Sequence, residues 1–446
     1  MRLSTASLAP LALLLAAAAF AGGPPTVAAT PPMGWNSWDC YGTAVTEAQV
    51  KANADYMAKH LKTHGWQYVV VDIQWSEPHA QAHGYRADAE LAMDEYGRLI
   101  PAANRFPSSA GGQGFKPLAD YVHSLGLRFG IHIMRGRPRR AVKANLPVFE
   151  SKVRAGDIAD PYSLCPWNSD MYGVDMSRAG AQDYYDSILK MYAGWGVDYI
   201  KADDIARPAH REEIAALHRA ILKTGRPIVL SLSPGPAMVK DAAFLQENAN
   251  LWRISDDFWD DWKLLRLNFI LMSIWSGMGR PGAWPDADML PLGRIGISAE
   301  RGEDRMTRFT RVEQRTLMSL WSIAQSPLMF GGDLPSNDEF TLALISNDEV
   351  LAVDQRGAHG RAFAEGGPSV VWIADAVDSD AKYVGVFNWG DGGAIDIRVD
   401  WRALGLPERC VLRDLWERKD VGAVEGGYAF RVEPHGSGLY KVSPAK

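Results

Sequence analysis

Cysteine is scarce in this chain: 446 residues carry three, Cys40, Cys165 and Cys410. An odd count cannot close a disulfide framework, and no Cys spacing fits a metal site. One bridge and three free buried thiols both remain open. Long apolar runs are also missing beyond the N-terminus. No later stretch reaches the roughly 18 uninterrupted apolar residues of a membrane span. The richest, Phe269 to Gly277, reads as a short buried helix. Basic excess is absent too: 47 Lys and Arg against 53 Asp and Glu give a formal charge of -6. With no basic stripe, a nucleic-acid partner is disfavoured. There is no repeat array and no low-complexity tract. No Gly-rich phosphate turn follows the first strand-like run, which weighs against a dinucleotide-binding open sheet.

What is present begins with a leader-like segment. Arg2 precedes an apolar run from Leu8 to Ala21, and Ala19-Phe20-Ala21 fits a small-x-small cleavage site. The expectation is a signal peptide over 1–21 and an exported mature protein, periplasmic or extracellular, with no membrane partner after cleavage. The aromatic load is high, with 16 Trp and 15 Tyr. These rings serve either the core or the stacking of sugar faces.

From 24 to 354, strand-like and helical patterns alternate. The run Tyr68 to Asp72 and the run Val197 to Asp203 are β-rich and apolar until their last residues. Helical spacing covers Thr46 to Leu61, Phe115 to Leu125, Ala181 to Trp195 and Arg211 to Thr224. Further strands are expected at Met33 to Trp38, Leu127 to Met134, Pro227 to Ser231, Leu251 to Ser255, Ala283 to Leu290 and Pro327 to Gly332. Alternation of this kind implies a parallel sheet. About eight units over roughly 330 residues fit an α/β fold, a (β/α)8 TIM barrel. From 355 to 446 short strand-like runs follow one another without helices, predicting a C-terminal antiparallel β-sandwich domain.

Polar residues cluster at the ends of the predicted strands: Trp38, Asp72, Trp75, His132, Lys201, Asp203, Asp204, Ser233, Arg253, Asp256, Asp257 and Asp288. In a barrel those ends form the C-terminal face, where chemistry sits. Paired carboxylates are what glycoside hydrolysis needs, one to attack or activate water and one to protonate the leaving oxygen. Lys201 and Asp203 are two apart on a strand and share a side, so the cation can keep the carboxylate ionised. An Asp after a strand also serves as a helix cap. In the doublets Asp203-Asp204 and Asp256-Asp257, one member can cap while the other reacts. No metal and no cofactor is implied.

Thr30 to Trp38 resembles the opening motif of the α-galactosidase family of retaining glycoside hydrolases, glycoside hydrolase family 27 and its clan. Val71-Asp72-Ile73-Gln74-Trp75 resembles that family's Asp-Asp-Cys-Trp segment. Tyr199 to Asp203 resembles its Lys-aromatic-Asp nucleophile motif, and Trp252 to Asp257 its Trp-Arg…Asp acid/base motif. Trp284 to Leu290 and Pro327 to Asp333 match further segments. The resemblance implies Asp203 as nucleophile and Asp257 as acid/base. It implies sugar contacts from Trp38, Asp72, Lys201 and Arg253, with Trp75 and Ser233 counted among them. His132 stands where an aromatic residue is frequent. The implied activity is α-galactosidase, retaining and by double displacement, on a terminal sugar of an oligosaccharide or polysaccharide. The carboxyl groups are then about 5–5.5 Å apart. The departures bear on substrate. Ile73 replaces the family's second Asp, which grips the axial and C6 hydroxyls of galactose. Ser231-Leu232-Ser233 is expected to leave room at the 2-position, Ala202 is smaller than the usual aromatic, and Gln74 removes a cysteine, so Cys40 loses a bridge. The same mechanism on an α-N-acetylgalactosaminide, a β-L-arabinopyranoside or an α-1,6-glucan is the alternative, as is an inactive sugar-binding relative.

Overall fold

The computed structural model describes residues 27–86 and 88–445. The expected signal peptide, 1–21, lies outside the described residues. Eight parallel strands form one sheet: Met33–Asn36, Tyr68–Val71, Arg128–Met134, Tyr199–Asp203, Val229–Leu232, Leu251–Arg253, Trp284–Asp286 and Leu328–Phe330. Numbered in chain order, the first through seventh pair in sequence, and the eighth pairs with the first. A parallel bridge between Leu290 and Phe330 closes the sheet, with Leu290 N donating to Met329 O at 2.8 Å. The strands are buried over almost their whole length, which is why they read as continuous apolar runs rather than alternating ones.

Register decides what reaches the open end of the barrel. His132 lies opposite Lys201, and Met134 opposite Asp203. Lys201 in turn lies opposite Ser231. The helices follow the sequence closely. Glu47–His60 starts from a capping box built by Thr46 and Gln49, and Ala181–Trp195 and Arg211–Thr224 have the expected bounds. One helix differs. The apolar run at Phe269 belongs to Trp262–Ile274 and is not buried all round. Leu265, Phe269 and Met272 face the core, while Leu267, Ile270 and Ile274 are about half exposed. Between the third strand and Ala181, where the sequence signals nothing regular, three short strands form a small sheet, Arg137–Pro138, Ala159–Asp160 and Met171–Val174.

After the helix Asp348–Arg356 the chain turns all-β. Six antiparallel strands form one sheet, and Ile395–Asp400 with Gly427–Val432 form a second. Val371, Ile373, Val384 and Val386 meet Ile397, Val399, Trp401 and Phe430 between them, a sandwich core. Gly357–Gly366 and Lys419–Glu425 are strands that the sequence does not signal. The sandwich packs on the barrel helix Arg311–Ala324, where Thr316 Oγ1 donates to His435 O at 2.7 Å and the Trp416 indole donates to Ser319 Oγ at 2.9 Å. All three cysteines are free and buried, so of the two expectations the thiols stand.

Candidate active site

The C-terminal ends of the strands surround a cavity of about 260 Å³. Its wall includes Trp38, Asp72, Ile73, Lys201, Asp203, Arg253 and Asp257, brought together from the first, second, fourth and sixth strands. Asp72 leaves the second strand and is almost fully buried. Its Oδ2 accepts from Asn36 Nδ2 at 2.8 Å and from Lys201 Nζ at 3.0 Å. Its backbone N–H donates to Ser37 Oγ at 3.0 Å, so the end of the first strand fixes this carboxylate. Burial alone would raise the Asp72 carboxyl. The charges of Lys201 and His132 and the two hydrogen bonds outweigh it and hold it below the ordinary carboxylate value. Lys201, buried among Asp72, Asp203 and Asp288, is raised above the usual lysine value by those charges despite desolvation.

Asp203 closes the fourth strand. Oδ2 lies 3.1 Å from His132 Nε2, and Oδ1 accepts the backbone N–H of Asp204 at 2.8 Å. Burial again pushes upward. The imidazole contact, Lys201 and the backbone donor pull the carboxyl far below its usual range, so it is ionised at any working pH. Asp257 follows the sixth strand and lines the same cavity, its side chain 37% exposed. Arg253 Nη2 reaches Asp257 Oδ1 at 3.2 Å, and Nη1 reaches Asp288 Oδ1 at 2.8 Å. Asp288 Oδ2 also accepts the N–H of Phe258 at 2.8 Å. Burial and the Asp257 charge push Asp288 up to about 6, against the pull of Arg253.

The doublets separate. Asp204 sits in the left-handed region, φ 56°, and points to Arg135 with Nη2–Oδ2 at 2.8 Å. Arg135 binds Glu213 as well, at 2.9 Å. Asp204 therefore belongs to a buried ion-pair network and is not among the residues lining the cavity. Asp256 does line it, but is mostly exposed, pairs with Arg207 at 3.3 Å, and accepts the Asp257 N–H at 3.0 Å.

Three expected contacts do not reach the cavity wall. Trp75 is 2% exposed and packs edge-on against Phe115 and Trp195, its indole N–H donating to His132 O at 2.7 Å. It is a core residue, its ring among Phe115 and Trp195 and its indole bonded to the third strand. Ser233 is 1% exposed with its hydroxyl unpartnered among the described residues; the next residue, Pro234, forms the wall. Ser233 itself therefore opens no room in the cavity. His132 stands behind Asp203, not on the wall. Tyr85 and Trp167 line the mouth without having been anticipated. Both lie in irregular loops whose sequence carries no strand or helix period. Asp288 was legible as a polar strand end. Among the described residues no cluster of side chains is arranged to hold a metal ion. An ionised buried carboxylate and a second, solvent-accessible one on a single sugar-sized cavity are the equipment of two-carboxylate hydrolysis.

Comparison with known proteins agrees in fold and family. The Alpha galactosidase A family pattern matches residues 168–356, and the Alpha galactosidase C-terminal beta sandwich domain matches 366–442. The chain is 30% identical to Alpha-galactosidase 2 of Arabidopsis thaliana over 428 residues, covering 94% of this chain and 91% of that protein. It is 30% identical to an alpha-galactosidase of Coffea arabica, over 93% of this chain and 94% of that protein. A solved structure of a glycoside hydrolase family 27 β-L-arabinopyranosidase from Geobacillus stearothermophilus is 55% identical, with TM-score 0.92, covering 94% of this chain and 97% of that one. A single-substitution variant of that enzyme has also been solved in complex with arabinose.

Proposed function

Since the chain belongs to the α-galactosidase family, glycoside hydrolase family 27, and is a glycoside hydrolase, we propose that it releases terminal β-L-arabinopyranose with retention of configuration. The observation that carries this is Ile73. It stands on the cavity wall next to Asp72, 4% exposed and packed with Trp38. β-L-Arabinopyranose is the α-D-galactopyranose ring with hydrogen at C5 in place of the hydroxymethyl group. An isoleucine offers nothing to a C6 hydroxyl, and burying that hydroxyl unpaired costs about 1–3 kcal/mol. A pentopyranose brings no such group. The 55% identity to an arabinopyranosidase supports the same reading.

In this reading Asp203 attacks the anomeric carbon while Asp257 gives its proton to the leaving oxygen. Asp257 then takes a proton from the water that displaces Asp203, and two inversions leave the configuration unchanged. His132 and Lys201 keep Asp203 ionised, as a nucleophile requires. Asp72 and Lys201, a fixed acceptor and donor 3.0 Å apart, bind ring hydroxyls, and the Trp38 ring covers the apolar face of the sugar.

A panel of nitrophenyl glycosides tests the proposal. The expected order is β-L-arabinopyranoside well ahead of α-D-galactopyranoside. The second reading, α-galactosidase as the principal activity, is supported by the 30% identity to the α-galactosidases of Arabidopsis thaliana and Coffea arabica over most of the chain, and the Asp72–Lys201 pair serves either sugar. The reverse order would establish it. Export is also part of the proposal, on the strength of the leader-like segment alone; a mature N-terminus just after Ala21 on protein recovered outside the cytoplasm is the expected result.

A further inference from the structure

Tyr85 lies in the loop between the second strand and the third, and it lines the cavity. The loop is pinned on both sides. Thr43 Oγ1 donates to Gln81 O at 3.0 Å and to Gly84 O at 3.3 Å. His83 N donates to Ser298 O at 2.9 Å, and its Nδ1 lies 2.7 Å from Ala299 O. Tyr85 is thereby held between the wall at Trp38 and the loop that follows the seventh strand. Its ring stacks on Trp38 with centroids 5.8 Å apart at 27°, and it meets Trp167 at 5.7 Å. It packs on the apolar cluster that contains Ile73.

Tyr85 shares the cavity wall with Asp203, Asp72, Glu300 and Asp257, whose charges act on its phenol. Burial and those charges raise the phenol far above its ordinary value, so it is a standing donor. Among the described residues, no protein group hydrogen-bonds it. His132, from the third strand, contributes no ring to the wall. The aromatic surface beside Ile73 therefore comes from Trp38 and from this loop.

We propose that Tyr85 is a specificity-determining residue that reads the fifth carbon of the bound pyranose: its ring occupies the space beside Ile73 that an exocyclic hydroxymethyl group would need, and its hydroxyl hydrogen-bonds a ring hydroxyl. The size-reading half rests on the pentopyranoside reading above. A ring stacked on a second ring, directly after a stretch held by Thr43 on one side and by Ser298 and Ala299 on the other, cannot swing aside cheaply, so it discriminates by shape where Ile73 discriminates by polarity. Selection by two walls together exceeds what either reaches alone.

The test is titration of free L-arabinose and of D-galactose into the wild-type chain and into Tyr85→Phe and Tyr85→Ala, followed by tryptophan fluorescence. Binding needs no turnover, and Tyr85→Phe keeps the packing. Tyr85→Ala should move the affinity ratio toward galactose by about tenfold. Tyr85→Phe should weaken both sugars alike, by about fivefold, the worth of one neutral hydrogen bond. A ratio unchanged in Tyr85→Ala, or a Tyr85→Phe variant that binds both sugars as the wild type does, would overturn the proposal. The wild-type preference between the two sugars tests the pentopyranoside reading by itself, and the change on substitution tests Tyr85. A wild-type chain that binds neither sugar would overturn both.

Discussion

The Nε2 of His132 stands 3.1 Å from Oδ2 of Asp203, and the ring is buried behind the cavity wall. The contact comes from register, since His132 pairs with Lys201 across adjacent strands and so lies beside the end of the fourth. It stabilises the ionised carboxylate, whose pKa is held far down. His132→Ala should raise the Asp203 pKa by about one unit, which is about 1.4 kcal/mol of lost stabilisation of the carboxylate. Because the carboxyl starts so far down, it stays ionised near neutral pH and the kcat/KM profile should keep its acid limb. Titration of the carboxyl by infrared difference spectroscopy in the variant and the wild type checks the shift.

Asp203→Asn should lower kcat on an activated glycoside by on the order of 10⁴-fold while leaving sugar binding within a few-fold, since an amide neither attacks nor carries charge. Product from the wild type, followed by NMR during turnover, should retain the substrate's anomeric configuration. Inversion would require a wider gap between Asp203 and Asp257.

Asp72 and Lys201 are a buried pair, and removing Asp72 takes from Lys201 its hydrogen-bonded partner, leaving the charges of Asp203 and Asp288 to offset its burial. Asp72→Asn should cost about 3 kcal/mol at pH 7. The sign with pH follows from the depressed Asp72 value. Its contribution is fully present above the unfolded carboxyl's 3.8 and disappears as pH falls through the lower folded value. The gap in urea midpoint between variant and wild type should therefore be wide at pH 7 and narrow below pH 3.8.

Which parts of this were legible in the sequence follows from burial. A charged residue at the end of an apolar run has no good place except an open strand end, so Asp72, Lys201, Asp203, Arg253 and Asp257 stood out. The change of texture near Asp354 marked the β domain because short strand-like runs follow one another there, with Gly, Asp and Pro between them and no helical spacing. Gly357–Gly366 and Lys419–Glu425 are largely exposed and show no such alternation. The ion pair that removes Asp204 from the site comes from Arg135, 69 residues away in sequence, and no local pattern links them. Ser233 and Pro234 exchange roles because sequence position alone does not say which of two neighbours turns inward. Tyr85 was invisible because a loop has no period.

Trp75 tests the distinction between core and platform. Its indole N–H holds His132 O, and its ring fills the space between Phe115 and Trp195. Trp75→Phe removes that bond and part of the packing, and should lower stability by about 1–3 kcal/mol. KM should stay within about twofold, since the ring touches no sugar. A large rise in KM at unchanged thermal midpoint would restore the platform role expected from the sequence.

In the proposed pentopyranoside activity, Ile73 carries the substrate choice. Its side chain sits on the wall beside Asp72, in contact with an apolar cluster that includes Trp38, Met134 and Met171. Ile73→Asp sets a carboxylate next to an existing one, so part of its binding gain goes to offset repulsion from Asp72. Lys201, whose charge is already shared between Asp72 and Asp203, is the neutralising group in reach. The expected result is a modest gain on α-D-galactopyranoside, about tenfold in kcat/KM, with a larger loss on β-L-arabinopyranoside, whose C5 hydrogens gain nothing from a desolvated carboxylate. Parallel kinetics on the two nitrophenyl glycosides measure it. Equal changes on both substrates would mean that Ile73 acts through the fold of the wall, not through contact with the fifth carbon.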